Sequence, residues 1–140
     1  MKKLTKLPTL MEGHILSLER NLNMKFPICF KEFLQEYGDS SIKENTYLDR
    51  NGLSWKISKF WNYPNIYGLT KEFVENGFGK KVAFAHDEGG WSFCLCLDEN
   101  DYNSVYIYRF TDHLPEDVFL KIADSFEEFI DGLQPESEIS

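Results

Sequence analysis

The chain has 140 residues, of which 42% are hydrophobic and 16% aromatic, and a net charge of −8. This length and composition predict one globular domain, residues 1–140, and exclude a disordered or fibrous chain. No apolar run approaches the roughly 20 residues of a membrane helix, and the N-terminal residues lack the apolar centre of a secretion signal. Because the three cysteines have no disulfide-framework spacing, we expect a cytoplasmic protein.

The charge is divided unevenly along the sequence. Residues 1–81 carry thirteen Lys or Arg against nine Asp or Glu, whereas residues 82–140 carry two against fourteen. An acidic half disfavours nucleic acid as a partner, because phosphate binding needs Lys and Arg. It favours a basic protein partner, although an acidic surface also serves simply to keep a protein soluble.

Two helices are predicted near the N-terminus. Thr9 and Glu12 have capping-box spacing ahead of an apolar stripe that ends at Leu22. Pro27 suits the first turn of a second helix, and Gly38 is placed to cap its C-terminus. These signals predict an antiparallel helix pair.

The next part of the chain predicts a hairpin and a loop. Asn51-Gly52 is a strong turn signal between strands at 45–50 and 53–60. Residues 61–68 are aromatic, polar and interrupted by Pro64, which predicts an irregular loop, and Thr70 then caps a short helix at 71–76. The aromatic rings at 61–67 either close the core, the commoner role, or clamp a ligand or sugar.

Residues 82–110 predict three consecutive antiparallel strands at the centre of the sheet. The first turn contains Gly89 and Gly90, which tolerate positive φ. The second strand alternates, with Trp91, Phe93, Leu95 and Leu97 on one face and Ser92, Cys94 and Cys96 on the other. A polar loop at 99–104 then leads to the third strand at 105–110.

The C-terminal part predicts one more strand and a helix. Residues 118–123 are ambiguous between helix and strand, and we favour a strand. Ser125 and Glu128 have capping-box spacing, and Gly132 and Pro135 end the helix that follows. We expect an ordered core over about residues 10–133, with frayed termini and an acidic tail from Gln134 onward.

No catalytic set can be assembled from the sequence. The three histidines belong to no recognised hydrolase, nucleotide-binding or metalloprotease motif. Cys94 and Cys96 share a strand face, with His86 on the neighbouring strand, but structural zinc prefers cysteines two to four residues apart and a fourth ligand is not evident. We expect both cysteines to be packing residues, and we expect no enzyme activity, metal or cofactor.

Three segments together resemble the SUKH superfamily, which includes bacterial immunity proteins and domains of fungal cell-wall regulators. They are the apolar and Pro27-containing segment at 18–34, the hairpin at 82–98 with the strand that follows it to Arg109, and the closing segment IADSFEEFI at 122–130. The chain departs from the usual pattern at Phe26, where Leu often precedes the proline, and at Tyr37-Gly38, where Asn-Gly is frequent.

The resemblance implies an α+β fold: a mostly antiparallel twisted sheet with an N-terminal helix pair and a C-terminal helix packed on it. It also implies an immunity protein that binds and neutralises a cognate polymorphic or contact-dependent toxin, often a nuclease, and it supplies no catalytic residues. The alternative is a regulatory scaffold domain of the same fold that binds another cellular protein. A third class is a small-molecule or glycan binder that uses the rings at 61–67.

For the immunity function we expect an acidic surface that occludes a basic toxin domain; one mechanism would be mimicry of nucleic-acid phosphates. The acidic residues flank the central strand. Trp91 beside them is either an aromatic anchor for the partner or, as is commoner in this pattern, a core residue. The predicted partner-binding residues are Asp87, Glu88, Trp91, Asp98, Glu99 and Asp101. The structural explanation for Asp87 and Glu88 is a hairpin turn whose carboxylates are merely solvated.

Overall fold

The computed structural model describes residues 12–37, 44–109 and 118–135. Within these residues the chain forms four α-helices, a five-stranded antiparallel sheet and a separate two-stranded sheet. This architecture confirms the predicted α+β class. No helix in the described part is long and apolar enough to cross a membrane. The predicted caps at Thr9 and Gly38, and most of both termini, lie outside the described residues.

The predicted N-terminal helix pair is confirmed. Helix α1 spans Glu12–Leu22 and helix α2 spans Ile28–Tyr37. Asn23 adopts a φ of 54° directly after α1, a left-handed conformation that asparagine tolerates better than most residues. The Glu19 carboxylate then accepts a hydrogen bond of 2.8 Å from the Phe26 N–H. These contacts fix the short connection between α1 and α2.

The predicted hairpin around Asn51-Gly52 forms, but its second strand is shorter than expected. Strands β1 (Thr46–Leu48) and β2 (Ser54–Lys56) pair antiparallel, and strand β3 (Lys59–Phe60) belongs to the main sheet. A continuous strand at 53–60 is therefore wrong. Ile57 and Phe60 are both buried, yet a straight strand would place residues three apart on opposite faces. A break between β2 and β3 lets both side chains enter the core.

The predicted loop at 61–68 is also wrong, because helix α3 spans Tyr63–Glu75. The Asn62 side chain caps this helix by accepting a hydrogen bond of 3.0 Å from the Asn65 N–H. Pro64 lies in the first turn, where its missing N–H costs nothing. Thr70, predicted as a cap, is buried inside the helix, and its hydroxyl accepts a hydrogen bond from the Ala83 N–H.

The central meander is confirmed. Strands β4 (Lys81–His86), β5 (Ser92–Cys96), β6 (Val105–Tyr108) and β7 (Phe119–Ala123) follow β3 in the order β3-β4-β5-β6-β7. A short 3₁₀ helix, Glu99–Asp101, lies in the loop between β5 and β6. Strand β7 confirms the preferred interpretation of 118–123. The third strand was expected to reach Phe110, but β6 ends at Tyr108 and Arg109 is not part of it; Phe110 lies outside the described residues.

Helix α4 spans Phe126–Asp131, and its predicted cap is confirmed by a hydrogen bond of 3.0 Å from the Glu128 N–H to the Ser125 hydroxyl. The expectation that Gln134 begins a frayed tail is wrong. Its N–H and C=O both form hydrogen bonds of 3.0 Å with the backbone of Thr46. This pairing ties the end of the domain to the first strand. Residues 136–140 lie outside the described part of the chain.

The main core lies between the sheet and helices α1, α2 and α4. Phenylalanine rings from each layer meet edge to face, with Phe30 5.8 Å from Phe84 and 5.1 Å from Phe126 between ring centroids. On the opposite face, Phe73 of α3 packs with Ala83 and Cys94. Every residue of β5 is therefore buried. The predicted site residues that flank β5 reach solvent only at its two ends.

Candidate partner-binding surfaces

The turn between β4 and β5 holds three of the predicted site residues. The Asp87 carboxylate accepts hydrogen bonds of 2.9 Å from the Gly89 and Trp91 N–H groups, and so it closes the turn from inside. Glu88 stands outside, with 73% of its side chain exposed and Lys56 at 3.3 Å. Asp87 therefore shapes this turn, while Glu88 presents its charge to solvent.

Trp91 was predicted as a possible anchor for a partner. Its ring is partly buried and packs against the main core. A ring that already contributes to the core can offer only its exposed edge to another protein. The contact with the core explains why Trp91, just before β5, alternates in phase with the apolar Phe93 and Leu95 of that strand.

The other three predicted residues lie in the connection between β5 and β6. The Asp98 carboxylate accepts a hydrogen bond of 2.9 Å from the Lys80 N–H and lies 3.4 Å from the Lys81 ammonium group. It also packs tightly against Gly79, where a Cβ would lie 2.5 Å from an Asp98 oxygen. Glu99 is exposed to solvent. Asp98 therefore holds two chain segments together, and Glu99 carries the accessible charge.

Asp101 is the centre of a polar network. Its carboxylate accepts hydrogen bonds from the hydroxyls of Ser104 and Tyr106 and, at 2.9 Å, from the Lys121 ammonium group. Partial burial acts to raise the pKa of Asp101, but these hydrogen bonds outweigh it and hold the pKa below its ordinary value. Burial and the same carboxylate raise the pKa of the Tyr106 hydroxyl. Asp101 thus links the 3₁₀ helix to β6 and β7.

The structure brings the six predicted residues into two groups, not one. Asp87, Glu88 and Trp91 lie before β5, and the other three lie after it, at the opposite end of a strand about 15 Å long. At each end one glutamate is exposed while the aspartates accept hydrogen bonds. Of the five predicted acidic residues, Glu88 and Glu99 are the two that the structure leaves exposed.

Sequence reasoning missed a cavity beside α3. It has a volume of about 350 Å³ and is lined by residues from α3, the β4–β5 turn, β5 and β6. We call it the Trp61 cleft; it is lined by Trp61, Asn65, Leu69, Glu72, Phe73, Gly90, Ser92 and Tyr108. Recognising 63–75 as a helix would have placed Asn65 and Glu72 on the same side, since they are seven residues apart.

The other two rings of the 61–67 segment do not line this cavity. The Tyr63 hydroxyl forms a hydrogen bond of 2.8 Å with the Ser17 hydroxyl, and Tyr67 packs against the main core. The aromatic segment therefore closes the core mainly through Tyr63 and Tyr67, and offers a cavity only at Trp61.

Two of the three cysteines, Cys94 and Cys96, lie in strand β5. Cys94 and Cys96 are buried, and burial raises the pKa of both thiols. His86 pairs across the sheet with Ser92 and with neither cysteine. In residues 12–37, 44–109 and 118–135, no group of three His, Cys, Asp or Glu side chains could hold a metal ion.

The chain matches the model of a known protein family. The model of the SUKH_6 family, described as SMI1-KNR4 cell-wall, matches residues 12–130. The match includes the helix pair, the whole main sheet and nearly all of α4. No curated protein matches the chain.

Proposed function

Because the chain belongs to the SUKH superfamily, whose members are often toxin immunity proteins, we propose that it binds and neutralises a cognate bacterial toxin. Members of this superfamily are generally not catalysts, so the inhibition is stoichiometric. The protein would act in the cytoplasm of the producing cell, where the toxin is made, by covering the toxin's substrate site.

The charge distribution is the observation that carries this proposal. The half of the chain from residue 82 has two basic and fourteen acidic residues, and Glu88 and Glu99 expose their side chains at the two ends of β5. Nuclease toxins bind phosphates through basic surfaces. An acidic partner is complementary to such a surface, attracts it over a distance and competes with the nucleic acid.

One interface is large enough to include both ends of β5. A standard protein–protein interface buries about 800 Å² on each partner, a patch roughly 30 Å across, and β5 itself is about 15 Å long. Glu88 and Glu99 would contact the toxin directly. Asp87, Asp98 and Asp101 would act by fixing the turns that carry them, and the exposed edge of Trp91 would contact the toxin at the same end of β5 as Glu88.

The experiment starts from the gene immediately upstream: where it encodes a large secreted protein with a variable C-terminal domain, that domain is co-expressed with this chain. We expect the two proteins to purify as a stable complex and the toxicity of the domain to be lost. The variant Glu88→Lys/Glu99→Lys should weaken both effects. Glu32→Lys, which reverses an exposed charge on α2, is the matched control and should leave them unchanged.

A second candidate is a regulatory scaffold domain that binds a different cellular protein. It is favoured by the description of the matching family, which names cell-wall proteins. The same experiment separates the two functions. A harmless or missing upstream domain, or a toxic one that forms no complex, contradicts the immunity proposal and leaves the scaffold.

A further inference from the structure

The Trp61 cleft is a cavity whose aromatic side chains are held in place by contacts within the protein. The Trp61 indole N–H donates a hydrogen bond of 3.2 Å to the Ser92 hydroxyl, and its ring centroid lies 4.2 Å from that of His86. The Tyr108 ring, which also lines the cleft, is held 4.9 Å from Phe73 and 5.0 Å from Phe119 between ring centroids. Because these rings are fixed before any ligand arrives, binding would cost little side-chain entropy.

The charge among the lining residues of the cleft is negative. Glu72 is the sole charged side chain among its described lining residues, and it is exposed to solvent. On the same helix, Lys71 and Glu75 lie 3.8 Å apart as an ion pair. Burial, together with the negative charge of Glu72, raises the pKa of the Tyr108 hydroxyl. Tyr108 is therefore neutral at physiological pH, and the cleft has a net negative charge.

A cavity with aromatic walls and one carboxylate suits a planar cation. Ring faces attract cations through their quadrupole, and a carboxylate accepts charge-assisted hydrogen bonds. Arginine fits better than lysine, because its guanidinium group stacks flat on a ring, is weakly hydrated and donates several hydrogen bonds in a plane. The Asn65 side chain at the cleft adds an amide oxygen as a further acceptor.

We propose that the Trp61 cleft receives an arginine side chain from a partner protein, with the guanidinium group against the Trp61 and Tyr108 rings and hydrogen-bonded to Glu72. That the partner is a toxin rests on the proposed function, whereas the cation preference rests on the cleft alone. Gly90 lines the cleft and follows Glu88 in the β4–β5 turn by two residues. The cleft therefore adjoins one of the two proposed acidic ends.

The test uses the whole chain, labelled with ¹⁵N, and N-acetyl-arginine amide as the probe. Three indole N–H signals are expected, from Trp55, Trp61 and Trp91, and Trp→Phe variants assign them. We expect a saturable shift confined to Trp61. N-acetyl-citrulline amide, which has the same shape without the charge, should produce no such shift.

Two exposed glutamates of α3 supply matched variants. Glu72→Gln should weaken binding of the arginine probe by about fivefold or more, since it removes the cleft's charge. Glu75→Gln should leave the affinity unchanged. Both changes are on the surface, and an otherwise unchanged ¹⁵N spectrum would show that each variant folds.

Several results would overturn the arginine site. They are equal shifts with the citrulline probe, equal affinity in Glu72→Gln, similar shifts at all three indoles, or the absence of a saturable shift. A neutral oligosaccharide that shifts Trp61 when the arginine probe does not would assign the cleft to a glycan. Because the probe is a small molecule, a failed toxin complex with intact arginine binding contradicts only the proposed function.

Discussion

Gly79 and Asp98 are packed so closely that each constrains the other. Gly79 has a φ of 84°, and an added Cβ would lie 2.5 Å from an Asp98 oxygen. Gly77, two residues earlier, has a φ of 79° but open space around its missing Cβ. We expect Gly77→Ala to lower the free energy of unfolding by about 1–2 kcal/mol, the cost of a left-handed residue. Gly79→Ala should lower it further in urea denaturation, because the Asp98 carboxylate must also move.

The comparison with Asp98→Ala separates the clash from backbone strain. In a protein that carries Asp98→Ala, the carboxylate that would clash with an alanine at position 79 is absent. Adding Gly79→Ala or Gly77→Ala to this protein should therefore lower the free energy of unfolding by similar amounts. An excess cost for Gly79→Ala that persists without the Asp98 carboxylate would contradict this explanation.

The lowered pKa of Asp101 predicts a pH-dependent contribution to stability. A carboxyl whose pKa in the folded state is below its ordinary value of 3.8 stabilises the fold above that value. This contribution is lost as the pH falls through the folded-state pKa. Asp101→Asn should therefore destabilise the protein at pH 7, and the difference from wild type should shrink in urea denaturation below about pH 4. If the difference in unfolding free energy between wild type and Asp101→Asn is constant from pH 7 to pH 3, the Asp101 carboxylate does not make this pH-dependent contribution.

At the scale of elements, the difference between β5 and α3 shows what the sequence could predict. The apolar and polar residues of β5 alternate without interruption between two clear turn signals, so its register was predictable. Residues 61–68 mix aromatic and polar residues around Pro64, and this composition is typical of a loop. The helical signal was nevertheless present: Asn62 precedes Pro64, and the buried Ile66, Thr70 and Phe73 recur at helical spacing.

The cap of α3 can be tested by removing one side chain. Asn62→Ala removes the acceptor for the Asn65 N–H and should lower the free energy of unfolding by about 1 kcal/mol. Asn76, at the C-terminal end of the same helix, provides the matched control. Asn76→Ala should change stability by much less in thermal or urea unfolding. Equal effects of the two variants would show that the cap contributes nothing specific.

At the scale of the molecule, the site was less predictable than the fold. The sequence locates the acidic residues correctly in the two connections of β5, and successive connections of a meander necessarily lie at opposite ends of the middle strand. The sequence does not reveal which carboxylates form hydrogen bonds or ion pairs within the protein, because those contacts join segments that are distant in the sequence. Asp101 and Lys121, for example, are twenty residues apart and meet through the pairing of β6 with β7.

The division of the charges between two ends leads to a prediction about complex formation with the upstream toxin domain. If one interface spans both ends, Glu88→Lys and Glu99→Lys should each slow association several-fold at low salt. Raising the salt above 0.1 M shortens the Debye length to about 10 Å or less, so the differences from wild type should diminish. Stopped-flow association rates at several salt concentrations measure both effects, with Glu32→Lys as the control.

If only one of the two variants associates more slowly than wild type, the interface is confined to the end of β5 that carries that glutamate. Association rates that change with neither the two substitutions nor the salt concentration would contradict electrostatic recognition. Salt must screen the attraction between exposed carboxylates and a basic surface.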